Sequence, residues 1–212
     1  MTNKRWDSRI CLHVHHALTE GATTILVRTV DTDVVVILLG VYHDLEPHHP
    51  AMQLWVGFGT GKNFRYYHIN SIGHELGQNK SRALPFWHAF SGCDCTSQFS
   101  GKAKKSTWNT WKSYPAGTEG FIITPRTAFV QHEILSPAFQ IIEQFTCTMY
   151  DSTTSCVKVN DCRQELFPIR VKQMEKFPPT QNALLQHTNR SMPASGQYLE
   201  RIAEAHHWCP KS

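Results

Sequence analysis

The fold is decided between residues 23 and 44, where the sequence reads TTILVRTVDTDVVVILLGVYHD. The first part, Thr23–Thr29, is β-branched or apolar apart from Arg28, which predicts a buried strand. The second part, from Asp33 to Asp44, is ambiguous, because three consecutive Val residues favour a strand whereas its length and its acidic start favour a helix. We favour the helix. The stretch therefore predicts a strand that ends at Asp31 and a helix directly behind it.

Patterns on either side of this stretch predict further helices and strands. They give a helix from Asp7 to Thr19, strands at Met52–Phe58 and Asn63–Ile69 around a Gly59-Thr60-Gly61 turn, and helices that begin at Asn70, Ser81 and Lys102. Pro and Gly between Tyr114 and Gly120 indicate a boundary, and helices are predicted at 137–150, 160–166 and 181–205. The sequence thus predicts an α/β core at 1–118, with a mostly parallel sheet flanked by helices, and a helical accessory region at 119–212.

Composition limits the classes of function. A chain of 212 residues that is 41% hydrophobic and 18% charged is expected to fold, and a net charge of +4 permits a polyanionic partner without demanding one. The longest apolar run, Val34–Val41, is far shorter than the roughly 20 residues that cross a bilayer, and we expect neither a membrane span nor a signal peptide. Seven irregularly spaced Cys fit a reduced, intracellular protein better than a disulfide framework.

The acidic pair Asp31 and Asp33 is the first candidate site. Like charges this close raise each other's pKa unless a cation lies between them, and ligands gather where the strands of open α/β sheets end. The alternative is structural, with Asp31 closing a turn and Asp33 capping a helix. Asp94, in the loop Gly92-Cys93-Asp94, is a second acidic candidate, and it too has the alternative role of a helix cap.

Two of these segments carry a resemblance to a known family. RTVDTD at 28–33 and SGCD at 91–94 look like the acidic motifs of flap endonuclease and XPG nucleases, within the PIN-like fold. The chain resembles still more closely a group of uncharacterised animal proteins of mobile-element origin. The phrases that it shares with them are TVDTDVVV, LWVGFGTGKNFRY, HAFSGCD and PPTQNALLQH.

The resemblance implies a PIN-like core in residues 1–118 and hydrolysis of phosphodiester bonds with two Mg²⁺ or Mn²⁺ ions. Asp31, Asp33 and Asp94 match the catalytic acids of the family, and Asp7 joins them as a metal ligand. Carboxylate oxygens suit these metals. The implied partner is nucleic acid, with DNA favoured over RNA and a nuclear location favoured over a cytoplasmic one.

The chain also departs from the family pattern. Arg5 stands where the family has a metal-binding Glu, and a cation there opposes metal binding. The family's first strand, with its own acidic ligand, has no counterpart in this chain. The metal site is thus expected to be incomplete, and the alternative function is an inactive module that binds nucleic acid or protein.

Basic residues supply the expected contacts to nucleic acid. Lys102, Lys104 and Lys105 follow Asp94, where the nucleases grip the DNA backbone, and Lys62 and Arg65 follow the Gly59-Thr60-Gly61 turn. Trp108 and Trp111 are predicted to be core residues and not stacking platforms. The Cys and His residues lack the paired spacing of a zinc site.

Overall fold

The computed structural model describes residues 4–94, 96–126, 136–170 and 177–192, with side chains described throughout except at 4–8, 126, 169 and 170. The architecture is mixed α/β. The chain divides into two compact units with the boundary between Pro85 and Phe86, so that the described residues up to Pro85 form the first unit and those from Phe86 to 192 form the second. This division falls inside a helix and not at residue 118, so the predicted family core at 1–118 stays a prediction.

The first unit is built around the strand and helix that the opening stretch predicts. Its elements are α1 (Lys4–Thr19), β1 (Thr24–Thr29), α2 (Thr32–Leu45), β2 (Gln53–Phe58), a 3₁₀ turn (Gly61–Asn63), β3 (Arg65–His68), α3 (Ile69–Leu76) and the larger part of α4 (Gln78–Phe90). The ambiguous run after Asp31 is a helix, as predicted. The hairpin around the glycine turn is also confirmed.

The described strands form one sheet in the order β1-β2-β3. β1 and β2 are parallel, in register from Thr24 opposite Gln53 to Thr29 opposite Phe58. β3 runs antiparallel to β2 because a connection this short can join only antiparallel neighbours. The sheet is therefore mixed, and the prediction of a mostly parallel sheet was wrong in this respect.

Helix α2 forms the core of the first unit. Its residues from Val36 to Tyr42 are all buried, a pattern typical of a helix enclosed on several sides. Two glycines allow its neighbours to approach closely. A Cβ atom at Gly40 would lie 2.6 Å from Cγ of Pro85, and one at Gly73 of α3 would lie 2.4 Å from Cδ1 of Tyr42. Side chains at either position would push apart elements that now touch.

Three predicted helix starts in the first unit were wrong. α1 begins at Lys4, so Asp7 lies inside the helix and does not cap it. α3 begins at Ile69, and Asn70 instead joins it to β2, accepting from the amide of Leu54 and donating to the carbonyl of Met52, both at 2.8 Å. α4 begins before Ser81, whose side chain is buried. For Asn70, tertiary contacts use a polar residue that the local pattern assigns to a cap.

The second unit is helical and has an aromatic core. It contains the end of α4, α5 (Lys104–Ser113), α6 (Gly117–Arg126), α7 (Pro137–Tyr150), α8 (Val159–Arg170) and a helix at 181–192, here α9. Trp111 of α5 is buried, as predicted, and stacks on Trp87 at 5.5 Å between ring centroids. α6 was not predicted, because Pro115 just before it and Gly117 and Gly120 in its first turn suggested a boundary. None of the helices in the described ranges is long and apolar enough to span a bilayer.

Candidate nucleic-acid interface

The carboxylate of Asp31 is a helix cap. Its Oδ1 accepts a hydrogen bond from the backbone N–H of Asp33 at 2.9 Å, which makes Asp31 the N-cap of α2. The N–H of Asp31 in turn donates to Oγ1 of Thr29. Asp33 lies in the first turn of the helix, and both acidic side chains are half-buried. The alternative of a structural role thus holds, with Asp31 and not Asp33 as the cap.

The other predicted acidic residues lie elsewhere. Asp94 belongs to the second unit, whereas Asp31 and Asp33 belong to the first. The side chain of Asp7 lies outside the described residues. Within the described ranges, no group of three or more His, Cys, Asp or Glu side chains is placed to hold a metal ion. The two half-buried carboxylates, one of them engaged as a cap, do not by themselves fit a two-metal centre.

Asp94 lies in a tight turn. The backbones of Cys93 and Thr96 pair on either side of it, with N···O distances of 3.0 and 3.2 Å. Gly92 has φ of +105°, and a Cβ atom there would lie 2.6 Å from Cβ of Gln98. Asp94 itself is exposed and caps no helix, because α5 begins only at Lys104.

The lysines that follow Asp94 differ in their surroundings. Lys104 reaches back to the end of α4, where its ammonium donates to the carbonyl of His88 at 2.9 Å and to Oγ of Ser91 at 3.1 Å. A cation at this position stabilises the helix C-terminus. Lys102 lies over the ring of Tyr150 at 4.9 Å, and Lys105 is exposed. Lys104 therefore has a structural task, and Lys105 is the most accessible of the three.

The sheet of the first unit has one buried and one open face. Val27, Leu54 and Val56 point to the buried face. Side chains alternate between the two faces along a strand, and paired residues share a face. The register therefore assigns the residues that alternate with these three to the other surface. We call this surface the open face, and its members are Leu26, Arg28, Trp55, Phe64, Tyr66 and His68.

Gly57 organises the open face. Phe64 lies against it, with Cζ 3.1 Å from the position that a Cβ atom would take. Tyr66 meets Phe64 edge to face, and the guanidinium of Arg28 lies over the Phe64 ring at 5.3 Å. Such contacts between rings, and between a cation and a ring, fix the side chains in place.

The second row of the open face is also aromatic. Trp55 and His68 stack with their centroids 4.2 Å apart and their planes 23° from parallel. Leu26, paired with Trp55, is 58% exposed, and Tyr66 is 62% exposed. Large apolar and aromatic side chains that remain this accessible mark a binding surface.

The segment that supplies β2 and β3 carries cations and no acidic residue. No Asp or Glu occurs between Glu46 and Glu75, a segment that includes β2, β3 and their connection. Lys62 and Arg65, both predicted contacts, are exposed in that segment, and Arg28 adds a third cation. A cationic surface with interspersed rings is typical of sites that bind single-stranded nucleic acid.

Sequence reasoning named as nucleic-acid contacts only Lys62 and Arg65, which adjoin the open face and are not members of it. Arg28 was noted as the one charge in a buried strand, and Trp55 and Tyr66 as strand residues. The alternation in each strand gives two faces, but only the register shows which aromatics share a face with Arg28. Comparison with known proteins adds nothing further, since no family model, curated protein or solved structure matches the chain.

Proposed function

We propose that this chain is a nucleic-acid-binding module that contacts its ligand through the open face of the sheet. The observation that carries the proposal is the accessible aromatic surface with Arg28 on it and with Lys62 and Arg65 in the adjoining connection and strand. Phosphates provide most of the binding energy in such contacts, and these cations attract them.

The resemblance to PIN-like nucleases supports the same class of partner. The nucleases that the chain resembles act on DNA, which also favours a nuclear location. The departure at Arg5 and the use of Asp31 as a helix cap favour binding without cleavage. We therefore propose that the chain is a relative of the flap endonuclease group that still binds nucleic acid and has an incomplete metal site.

The proposal predicts binding that weakens steeply with salt. With three phosphate contacts, the logarithm of the association constant should fall with the logarithm of salt concentration with a slope of about −2 to −3. Arg28→Gln should reduce the size of that slope by about 0.7 to 0.9, because one contact is lost. Fluorescence anisotropy of labelled oligonucleotides measures both quantities.

The matched control is Lys112→Gln, which removes an exposed cation from α5 of the second unit. It should leave affinity and slope as in the wild type. Absence of salt-dependent binding by the wild-type chain, or equal losses in the two variants, would contradict the proposal.

A second candidate function is phosphodiester hydrolysis with Mg²⁺ or Mn²⁺. One observation favours it: Asp31 and Asp33 lie together, half-buried, at the carboxyl end of β1, where the parallel strand β2 also ends. The resemblance to the nucleases adds Asp94 and Asp7 as further candidate ligands.

Metal binding separates this candidate from the first. Asn caps helices as well as Asp does, so Asp31→Asn keeps the hydrogen bond to Asp33 and removes only the charge. Titration calorimetry with Mn²⁺ should show uptake by the wild type that Asp31→Asn weakens, whereas Asp161→Asn, an exposed change in α8, should have no effect. Hydrolysis is ruled out if the wild-type chain takes up no Mn²⁺. It is also ruled out if the chain shows no cleavage of flap or single-stranded DNA that EDTA inhibits.

A further inference from the structure

We infer that the open face selects single strands over duplexes, because it stacks unpaired bases on Tyr66 and on the Trp55–His68 pair. The inference rests on the proposed function, nucleic-acid binding at the open face, and adds the class of ligand. Bases in a duplex are stacked on one another and hide their faces, whereas those of a single strand can lie on a protein ring.

The geometry of Tyr66 favours this use. The ring is 62% exposed, yet the edge-to-face contact with Phe64 at 4.9 Å holds it in one orientation. A ring that is already ordered loses little conformational freedom on binding. Tyr66 therefore offers a fixed platform and not a mobile side chain.

The two rows of the open face provide more than one platform. Tyr66 and His68 are two residues apart on β3, which separates their rows by about 7 Å. Trp55, in register with His68, extends the second row across β2. Exposed aromatics on a sheet stack two or three bases in RNA-recognition sheets, and the rows here are arranged to accept two.

The charges favour a nucleic acid over a protein as the occupant. Arg28 lies within the aromatic surface, where its guanidinium is 5.3 Å from the Phe64 centroid. Arg65 is paired with Phe58 on the other face, at the end of the sheet, and is exposed. The segment from 47 to 74, which includes β2 and β3, contributes cations and no carboxylate, and this favours a phosphate backbone over an acidic partner.

The test compares a thymidine single strand of about 12 nucleotides with a duplex of the same length at one salt concentration. The single strand should bind more tightly to the wild type. Tyr66→Ser should weaken its binding about tenfold, because stacking on one ring is lost, and should leave the slope of the salt dependence unchanged. Duplex binding should hardly change.

Two further variants keep the result interpretable. Tyr66→Phe retains the ring and should bind the single strand as the wild type does. Phe167→Ser removes a ring that is 59% exposed on α8 and should have no effect. Circular dichroism of each variant confirms that the fold is intact.

The outcomes of these experiments distinguish failure of the single-strand inference from failure of the proposed nucleic-acid binding. Equal affinity for single strand and duplex, with no effect of Tyr66→Ser, overturns the inference while the proposed function stands. Failure to bind either ligand overturns both. A dimer in sedimentation that Tyr66→Ser abolishes, without nucleic-acid binding, assigns the open face to a second copy of the chain and overturns both as well.

Discussion

Phe121→Ala is expected to lower the free energy of unfolding by about 3–5 kcal/mol. Phe121 is fully buried in α6, where its ring centroid lies 5.0 Å from that of Phe145, 5.3 Å from that of Trp111 and 5.8 Å from that of Phe86. Truncation leaves a cavity among rings that cannot collapse without losing contact with one another. Domains are stable by about 5–15 kcal/mol, so the loss would be a large fraction of the total stability.

Phe167→Ala is the matched control for this prediction. It removes the same atoms from an exposed position on α8 and should change stability by less than about 0.5 kcal/mol. Urea denaturation followed by circular dichroism measures both variants. Similar effects of the two changes would mean that the aromatic core is not as described.

Glu143→Ala should have the second largest effect, about 2–4 kcal/mol. Glu143 of α7 is only 2% exposed, and its Oε1 accepts from the backbone N–H of Val159 at 3.0 Å and from Nε2 of Gln181 at 2.9 Å. These donors lie at the first residues of α8 and α9, where a negative charge is favourable. Alanine would leave a buried N–H without a partner.

The control for Glu143 is Glu75→Ala, which removes an exposed carboxylate from the last turn of α3. It should change the free energy of unfolding by less than about 0.5 kcal/mol. Glu143→Gln should fall between the two, because an amide oxygen still accepts but carries no charge. If Glu143→Ala unfolded no more easily than Glu75→Ala, the connection of three helices through this carboxylate would be disproved.

The carboxyl of Glu143 also makes the free energy of unfolding depend on pH, and the direction of that dependence follows from its pKa. Burial raises the pKa of its carboxyl, although hydrogen bonds from Val159 and Gln181 partly offset this. The folded state therefore keeps the proton to a higher pH than the unfolded state does. From neutral pH down to about pH 5, the wild type should gain stability relative to Glu143→Gln, which does not titrate.

The strand and helix around Asp31 were predictable, because local preference and burial agree there. Three consecutive Val residues made α2 ambiguous, but its length exceeds that of a common strand. The failure to predict α6 has a physical cause. Its Gly117 and Gly120 resemble turn signals, yet they serve close packing, since a Cβ atom at Gly120 would lie 2.8 Å from Cγ2 of Ile141 on α7. Such spacing between helices leaves no mark in the sequence of either one.

The candidate site was predictable only in part. The sequence identifies Lys62 and Arg65 as accessible cations, but it cannot show that Lys104 turns back to the carbonyl of His88. It also cannot assign Tyr66 and Arg28 to one surface, because that assignment depends on which residues of β1, β2 and β3 are paired. The register of a sheet is a tertiary property, and the open face exists only through it.

The most direct measurement is photochemical cross-linking of the wild-type chain to a single strand that carries iodouracil, which reacts with aromatic side chains in contact with the base. Mass spectrometry of the digested product then locates the attachment. The proposed binding surface predicts cross-links in the segment Gln53–His68, at Trp55, Tyr66 or His68. Cross-links confined to α5, at Trp108 or Trp111, would contradict it.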